Sequence, residues 1–298
     1  MTNVQHALPL QSNPVPSNQH RIVQLANGSH SIHSLAYGET FHPVIGPMAE
    51  AKALYVRQLN LCNRLRQHHG EFVIWDVGLG AAANPVMVLS ATGEIDSHIR
   101  LISFDQTLEP LRFALDHIQA LQYLSSYEAP LHELVEHQRV SFRNGRQSVV
   151  WEVYVSDFPF LLSQPVAQSL PAPHAILFDA FSPAKNPTMW TQPLFGRLYQ
   201  LLDPHRPCAM PTYSRSTMLR VSLLLAGFFV GAGHATGEKE ETTIAANTPD
   251  LIPDLLDRRW LGRARRSTSA EPLWEPIYLQ NRLTQRTWEL LQNHPQFL

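Results

Sequence analysis

Three β-prone apolar runs of this 298-residue chain lead into an aspartate. HIRLISFD (98–105) ends on Asp105, VVWEVYV (149–155) runs into Ser156-Asp157-Phe158, and HAILF (174–178) runs into Asp179. A fourth run, EFVIWD (71–76), opens onto VGLGAAAN (77–84), with Gly78 and Gly80 ahead of an Ala-rich helix start. An open α/β sheet binds ligands at the carboxyl ends of its strands, so these positions share one edge. Glycine lets backbone approach a ligand, and a helix N-terminus offers free N–H groups. Asp105 follows Gly80 by 25 residues, roughly the spacing of a carboxylate that holds a ribose diol. Asp157-Phe158 suits an adenine, the carboxylate accepting from its amino group and the ring stacking on it. Asp179 opens into the Pro-interrupted FSPAKNPTMW (181–190), where a carboxylate could face a substrate. Asp157 and Asp179 would each serve equally as a helix N-cap.

The elements that must position these residues follow from pattern. Arg21–Leu25 and Ser31–Ala36 flank Asn27-Gly28, a hairpin signal. Pro47 suits a helix start. Met48, Lys52, Tyr55 and Leu59 recur at helical spacing, and Glu50 sits in the first turn. Leu108 to about Leu124 reads as one helix, and a second lies near Leu131–His137. Helices are expected over Leu194–Leu202 and Thr217–Ala226, with a strand at Pro207–Tyr213 between them and Gly227 closing the second helix. Phe228–Val230 and Glu241–Ala246 form a terminal hairpin. The alternation predicts an α/β protein with a mostly parallel, doubly wound sheet, an antiparallel end and a small N-terminal β-hairpin. The expected division is a mobile tail (1–20), an N-terminal hairpin and helix (21–70), a core (71–250) and a basic helical extension (251–298).

Composition narrows the function classes. Lys+Arg number 23 against Asp+Glu 25, a net charge of −2, so binding to a polyanion would need clustered cations. One such cluster, Arg258, Arg259, Arg263, Arg265 and Arg266 around Trp260, suits phosphates and bases, or a solvated helix face with one buried Trp. Cys62 and Cys208 are the only cysteines, which excludes a disulfide framework and a Cys-based zinc site. His132-Glu133 opens like HExxH, but His137 comes one residue too late for a shared helix face, so no metal is expected. No charged segment followed by an apolar run opens the chain, and no run of about 18 apolar residues appears, so a soluble, cytoplasmic protein is expected.

DAFSPAKNPTMW (179–190) resembles the DGFSPAKNPEMW of the MnmC family of methyltransferase domains. The glycine turn is similar to that family's DIGFGTGLN, YGETFHPVIGPMAEAKALYV (37–56) to its GETYHS segment and following helix, and GEKEETTIAAN to its G-K-K-E-M-T-I-A. The likeness runs over roughly 21–250. It implies a Rossmann-like class I S-adenosylmethionine methyltransferase that forms 5-methylaminomethyluridine at the tRNA wobble position. By this resemblance Gly78, Gly80 and Asn84 line the methionine end of the cofactor with Glu50 nearby. Asp105 holds the ribose, and Asp157 with Phe158 the adenine. By the same resemblance Asp179 faces the substrate amine; Phe181 is a further candidate for substrate contact, and Lys185, Arg263 and Arg265 are candidates for meeting the anticodon-arm phosphates. Bifunctional relatives add an FAD-dependent oxidase domain, which is not expected in a chain of this length. Ala82, Ala180, Phe41, Glu238 and Glu240 depart from the family pattern. A methyltransferase of a different amine or small molecule, and a catalytically silent binding module of the same fold, both stay open.

Overall fold

The computed structural model describes residues 19–237 and 240–298, so most of the expected tail and Glu238 lie outside the described residues. Strands β1 (His20–Gln24) and β2 (His30–Ser34) pair antiparallel about the Asn27-Gly28 turn, as expected. A short β3 (Glu39–Thr40), too brief to show a pattern, adds to β2. Helix α1 (Pro47–Ala51) runs into a π-helical turn, Lys52–Arg57, and α2 (Leu61–Gln67) follows.

The main sheet begins with β4 (Glu71–Val77), followed by α3 (Ala83–Thr92), β5 (His98–Asp105), α4 (Glu109–Asp116) and α5 (Glu128–His137). The single long helix expected from Leu108 is instead α4, a turn, and a 3₁₀ segment over Gln122–Tyr127. Leu121, just before that segment, and Leu124, within it, still reach the core, so apolar spacing did not mark the break. Next come β6 (Arg139–Asn144) and β7 (Gln147–Val155), an antiparallel pair. Sequence reasoning missed β6, although Asn144-Gly145 is a hairpin signal; Gly145 sits at φ +58°, 2.6 Å (measured from a built Cβ) from the Gly93 carbonyl.

Helix α6 (Phe158–Leu162), β8 (Ala175–Phe178), α7 (Gln192–Gln200), β9 (Ala209–Thr212) and α8 (Thr217–Ala226) complete the parallel part. The terminal hairpin is β10 (Phe229–Gly233) and β11 (Thr242–Ala246). The strand order is β10-β11-β9-β8-β4-β5-β7-β6, with β9, β8, β4, β5 and β7 parallel. Helices α9 (Arg258–Arg266) and α10 (Gln285–Gln292) lie in the segment after the terminal hairpin. Its final turn covers an open sheet edge: Gln296 accepts from Val230 N–H at 2.8 Å and donates to the Val230 carbonyl at 2.8 Å.

Alternation along β4 divides the core. Phe72 and Ile74 face one cluster with Val86 and Leu111, while Val73, Trp75 and Val77 face another with Phe195 and Leu219. One polar network lies within this core. Asp76 is fully buried; its Oδ2 accepts from Ser103 Oγ at 2.7 Å, and Ser103 Oγ accepts from Trp151 Nε1 at 2.9 Å. Asp76 Oδ1 has no hydrogen-bond partner. Burial pushes this carboxyl up to about 8, with the Ser103 hydrogen bond opposing and Asp179 and Asp105 adding to the rise. The folded value exceeds the unfolded one, so the folded state keeps a proton that the unfolded chain loses. Stability therefore falls as pH rises from about 4 toward about 8. Asp76→Asn should flatten that slope and gain on the order of a few kcal/mol at the alkaline end, read by urea unfolding across pH.

Candidate active site

The carboxyl edge of the sheet and the small N-terminal sheet enclose a cavity of about 430 Å³. The register of β4 and β8 sets its floor. Asp179 N–H donates to the Val77 carbonyl at 2.9 Å, which brings the two strand ends together. A Cβ on Gly78 (φ +94°) would lie 2.5 Å from the Asp179 carbonyl oxygen, so glycine is required there by the protein's own backbone. Gly80 (φ +51°) lies under the Phe41 ring, 3.2 Å from a built Cβ, and its N–H donates to Asp105 Oδ2 at 2.9 Å. Burial pushes the Asp105 carboxyl up, opposed by the N–H groups of Gly80, Thr107 and Gln106.

Helix α3 starts at Ala83, and Ala82 precedes it in the left-handed region (φ +59°). That conformation costs a non-glycine residue about 1 kcal/mol. Ala82 is fully buried in the core and does not line the cavity, whereas Ala81 and Ala83 do. Its methyl therefore stands away from the ligand space. Asn84, one residue into α3, donates from Nδ2 to Asp179 Oδ2 at 2.8 Å. Its buried Oδ1 has no hydrogen-bond partner.

At the Asp179 end the structure adds residues that the sequence did not single out. His42 Nε2 lies 3.5 Å from Asp179 Oδ2, and His42 Nδ1 lies 3.9 Å from Glu50 Oε1. Tyr55 donates to the Phe178 carbonyl at 3.1 Å and Tyr213 to the Ala180 carbonyl at 3.0 Å. Burial first, and then the charge of Asp179, raises both phenols. Tyr37 stacks on Phe181 with ring centres 4.0 Å apart, and Phe41 meets Phe181 at 5.5 Å. Glu39 accepts from Ser182 N–H at 3.1 Å and from the Ser182 hydroxyl, clasping β3 to the Pro-rich loop. The GETFHP run holds Glu39, Phe41 and His42 together, the one signal in the chain that could have found them.

Of the residues predicted for the site, the fold brings Glu50, Gly78, Gly80, Asn84, Asp105, Phe158, Asp179 and Phe181 to the walls of this one cavity. Asp157 stands beside it. Its carboxylate caps α6 by accepting from Phe160 N–H at 2.8 Å and also accepts from Gln106 Nε2 at 2.8 Å, while Ser156 and Phe158 form the wall. Lys185, Arg263 and Arg265 are not wall residues either. Arg265 donates to Gln285 at 2.9 Å and lies over the Trp288 ring at 5.1 Å, joining α9 to α10. Glu39, Glu50, Asp105, Glu109 and Asp179 line the cavity with His20 and His42; among the described residues its walls carry no Lys or Arg. Such a site favours cationic ligands. An α-ammonium fits the partnerless acceptor of Asn84, and a ribose diol fits Asp105, so the walls suit S-adenosylmethionine.

Among the described residues, no group of three or more His, Cys, Asp or Glu could hold a metal ion, and no helix is long and apolar enough to cross a membrane.

Residues 123–248 match the model of a family described as S-adenosyl-L-methionine-dependent methyltransferase. With the fold and the cavity, this match supports a methyltransferase whose cofactor is S-adenosyl-L-methionine. The expected resemblance to MnmC is borne out. The chain is 28% identical over 245 residues to the tRNA 5-methylaminomethyl-2-thiouridine biosynthesis bifunctional protein MnmC of Aeromonas hydrophila, covering 77% of this chain and 36% of that one. The Pseudomonas putida protein of the same name is 26% identical, with 70% and 32% covered. The chain thus spans about a third of the length of these curated relatives. The fold matches MnmC2 from Aquifex aeolicus with a TM-score of 0.67 at 23% identity, covering 95% of this chain and 85% of that one. A spermidine synthase superposes with a TM-score of 0.51 at 12% identity, covering 91% and 83%.

Removing the two carboxylates should have separable effects. Asp105→Ala should weaken S-adenosylmethionine binding about 10- to 100-fold by calorimetry. Asp157→Ala should cost about 1 kcal/mol of stability through the lost cap while changing cofactor affinity far less.

Proposed function

We propose that this chain transfers a methyl group from S-adenosylmethionine to the amine of 5-aminomethyluridine at the tRNA wobble position. The observation that carries the proposal is the acid-walled cavity closed at one end by Asp179, Asn84 and His42. Both reactants are cations, a sulfonium and an alkylammonium, and such walls receive both. The names of the MnmC relatives point to tRNA as the amine's carrier. That substrate would place the reaction in the cytoplasm.

Each residue has a task in this scheme. Gly78 and Gly80 keep the turn open, and Asn84 accepts from the cofactor's ammonium through Oδ1. Glu50 adds negative charge at that end. Asp105 holds the ribose hydroxyls. Phe158 meets the adenine, with Asp157 fixing the start of α6 beside it. When bound, the cofactor supplies a methyl on a sulfonium, and transfer to the amine forms the N–C bond as the C–S bond breaks. Asp179, itself fixed by Asn84, orients the amine by accepting a hydrogen bond. Phe181 and its aromatic neighbours offer a face to a base splayed out of the anticodon loop. Lys185, exposed on the Pro-rich loop, and Arg263 with Arg265 would meet backbone phosphates outside the cavity. The internal engagement of Arg265 favours a second reading, transfer to an amine that no tRNA carries.

Labelled S-adenosylmethionine with tRNA bearing 5-aminomethyluridine tests both. Label should reach the wobble base, and Asp179→Ala should lower single-turnover transfer about 10²-fold or more with cofactor affinity changed only a few-fold. Confirmed cofactor binding with no label on this tRNA would leave the different-amine reading standing.

A further inference from the structure

An alkylammonium has no lone pair to offer, so the site must remove a proton before transfer. Asp179 touches the position of the amine in the proposed scheme, but a carboxylate in water is a far weaker base than an aliphatic amine. A second group that takes the proton onward is needed, and the surroundings of Asp179 leave few. Tyr55 and Tyr213 are phenols held neutral by burial and by nearby carboxylates, and each already donates to a backbone carbonyl. Asp76 from β4 is buried in the Ser103 network and does not line the cavity. Asn84 does not titrate. Glu39 from β3 is held by Ser182. His20 lies by Phe113, at 5.7 Å between ring centres, and is coupled to Glu109.

His42 and Glu50 remain. His42 sits between two carboxylates, 3.5 Å from Asp179 and 3.9 Å from Glu50, with only 9% of its side chain exposed. Its backbone is left-handed (φ +47°), a conformation that non-glycine residues adopt at a cost and that the surrounding fold must enforce. Phe41, the residue before it, is pinned on both sides: its N–H donates to the Ile32 carbonyl at 2.9 Å, and its carbonyl accepts from Ser31 Oγ. The N-terminal sheet thereby presents an imidazole, a group that changes charge near neutral pH, to Asp179.

We propose that His42 receives the substrate's proton through Asp179, with Glu50 steadying the imidazolium that forms. The inference rests on the amine-transfer reading above. One proton leaves the ammonium nitrogen for Asp179 Oδ2 and moves on to His42 Nε2. The amine becomes neutral and the imidazole takes up the positive charge, so net charge is conserved. His42 is then a positioning residue that acts through Asp179, and it returns the proton to solvent after transfer.

Single-turnover transfer to tRNA bearing 5-aminomethyluridine, measured across pH with wild type and His42→Gln, tests this. At about pH 7 the variant should be slower by about 10²-fold, with S-adenosylmethionine affinity within a few-fold of wild type. The deficit should shrink as rising pH frees the amine in solution, closing toward about pH 10. A deficit constant with pH, or none, overturns the inference and leaves His42 a structural role. A wild type that binds cofactor but labels no such tRNA overturns the amine reading beneath it. A second readout keeps His42 in place and needs no turnover. In the free protein, the imidazole carbon signal of His42 should titrate at lower pH in Asp179→Asn than in wild type, because a carboxylate favours the charged ring. An unchanged titration overturns the inference.

Discussion

The site depends on the contact between the end of β4 and the end of β8. Asp179 N–H reaches the Val77 carbonyl, and the Asp179 carbonyl comes so close to Gly78 that a side chain there would collide with it. This approach brings the glycine turn, the first residues of α3 and the Asp179 side chain within one hydrogen bond of each other. Widening it would separate the group that suits the cofactor's ammonium from the group that faces the substrate. Gly78 thus serves the protein's own packing before it serves any ligand, and Gly80 does the same for Phe41.

The N-terminal sheet is a second wall. Its strands form a hairpin that would be marginal alone, and it gains support by closing over the cavity. Glu39 clasps the Ser182 backbone and hydroxyl, Tyr37 stacks on Phe181, and Phe41 covers Gly80. The same contacts that hold the sheet on the core shape the mouth of the cavity and deliver His42 to Asp179. Stability and function share these residues, so substitution along 37–42 would affect both.

Charge is divided in space. The cavity walls are acidic, while the chain as a whole is nearly balanced at −2. Arg220 is spent inside the fold, bonding Thr242, Thr243 and the Glu241 carboxylate, and Arg265 is engaged at the surface between α9 and α10. A small net charge therefore says little about either ligand; the local arrangement decides what enters the cavity.

The sequence by itself determined the α/β class, the strands that end on Asp105 and Asp179, and the glycine turn. Those depend on short-range apolar runs and backbone chemistry that a few adjacent residues encode. It did not reveal β3 or β6, whose pairing partners supply most of their definition, or the break after Asp116, where buried leucines keep helical spacing through a turn. Only the tertiary structure decided that Asp157 turns its carboxylate to its own helix and to Gln106, and that the Ala82 methyl lies in the core. It alone brought His42 to an aspartate 137 positions away in the chain. The physical reason is that a side chain's charge and shape are local properties. Which carboxylate an imidazole meets is set by how one sheet closes on the edge of another.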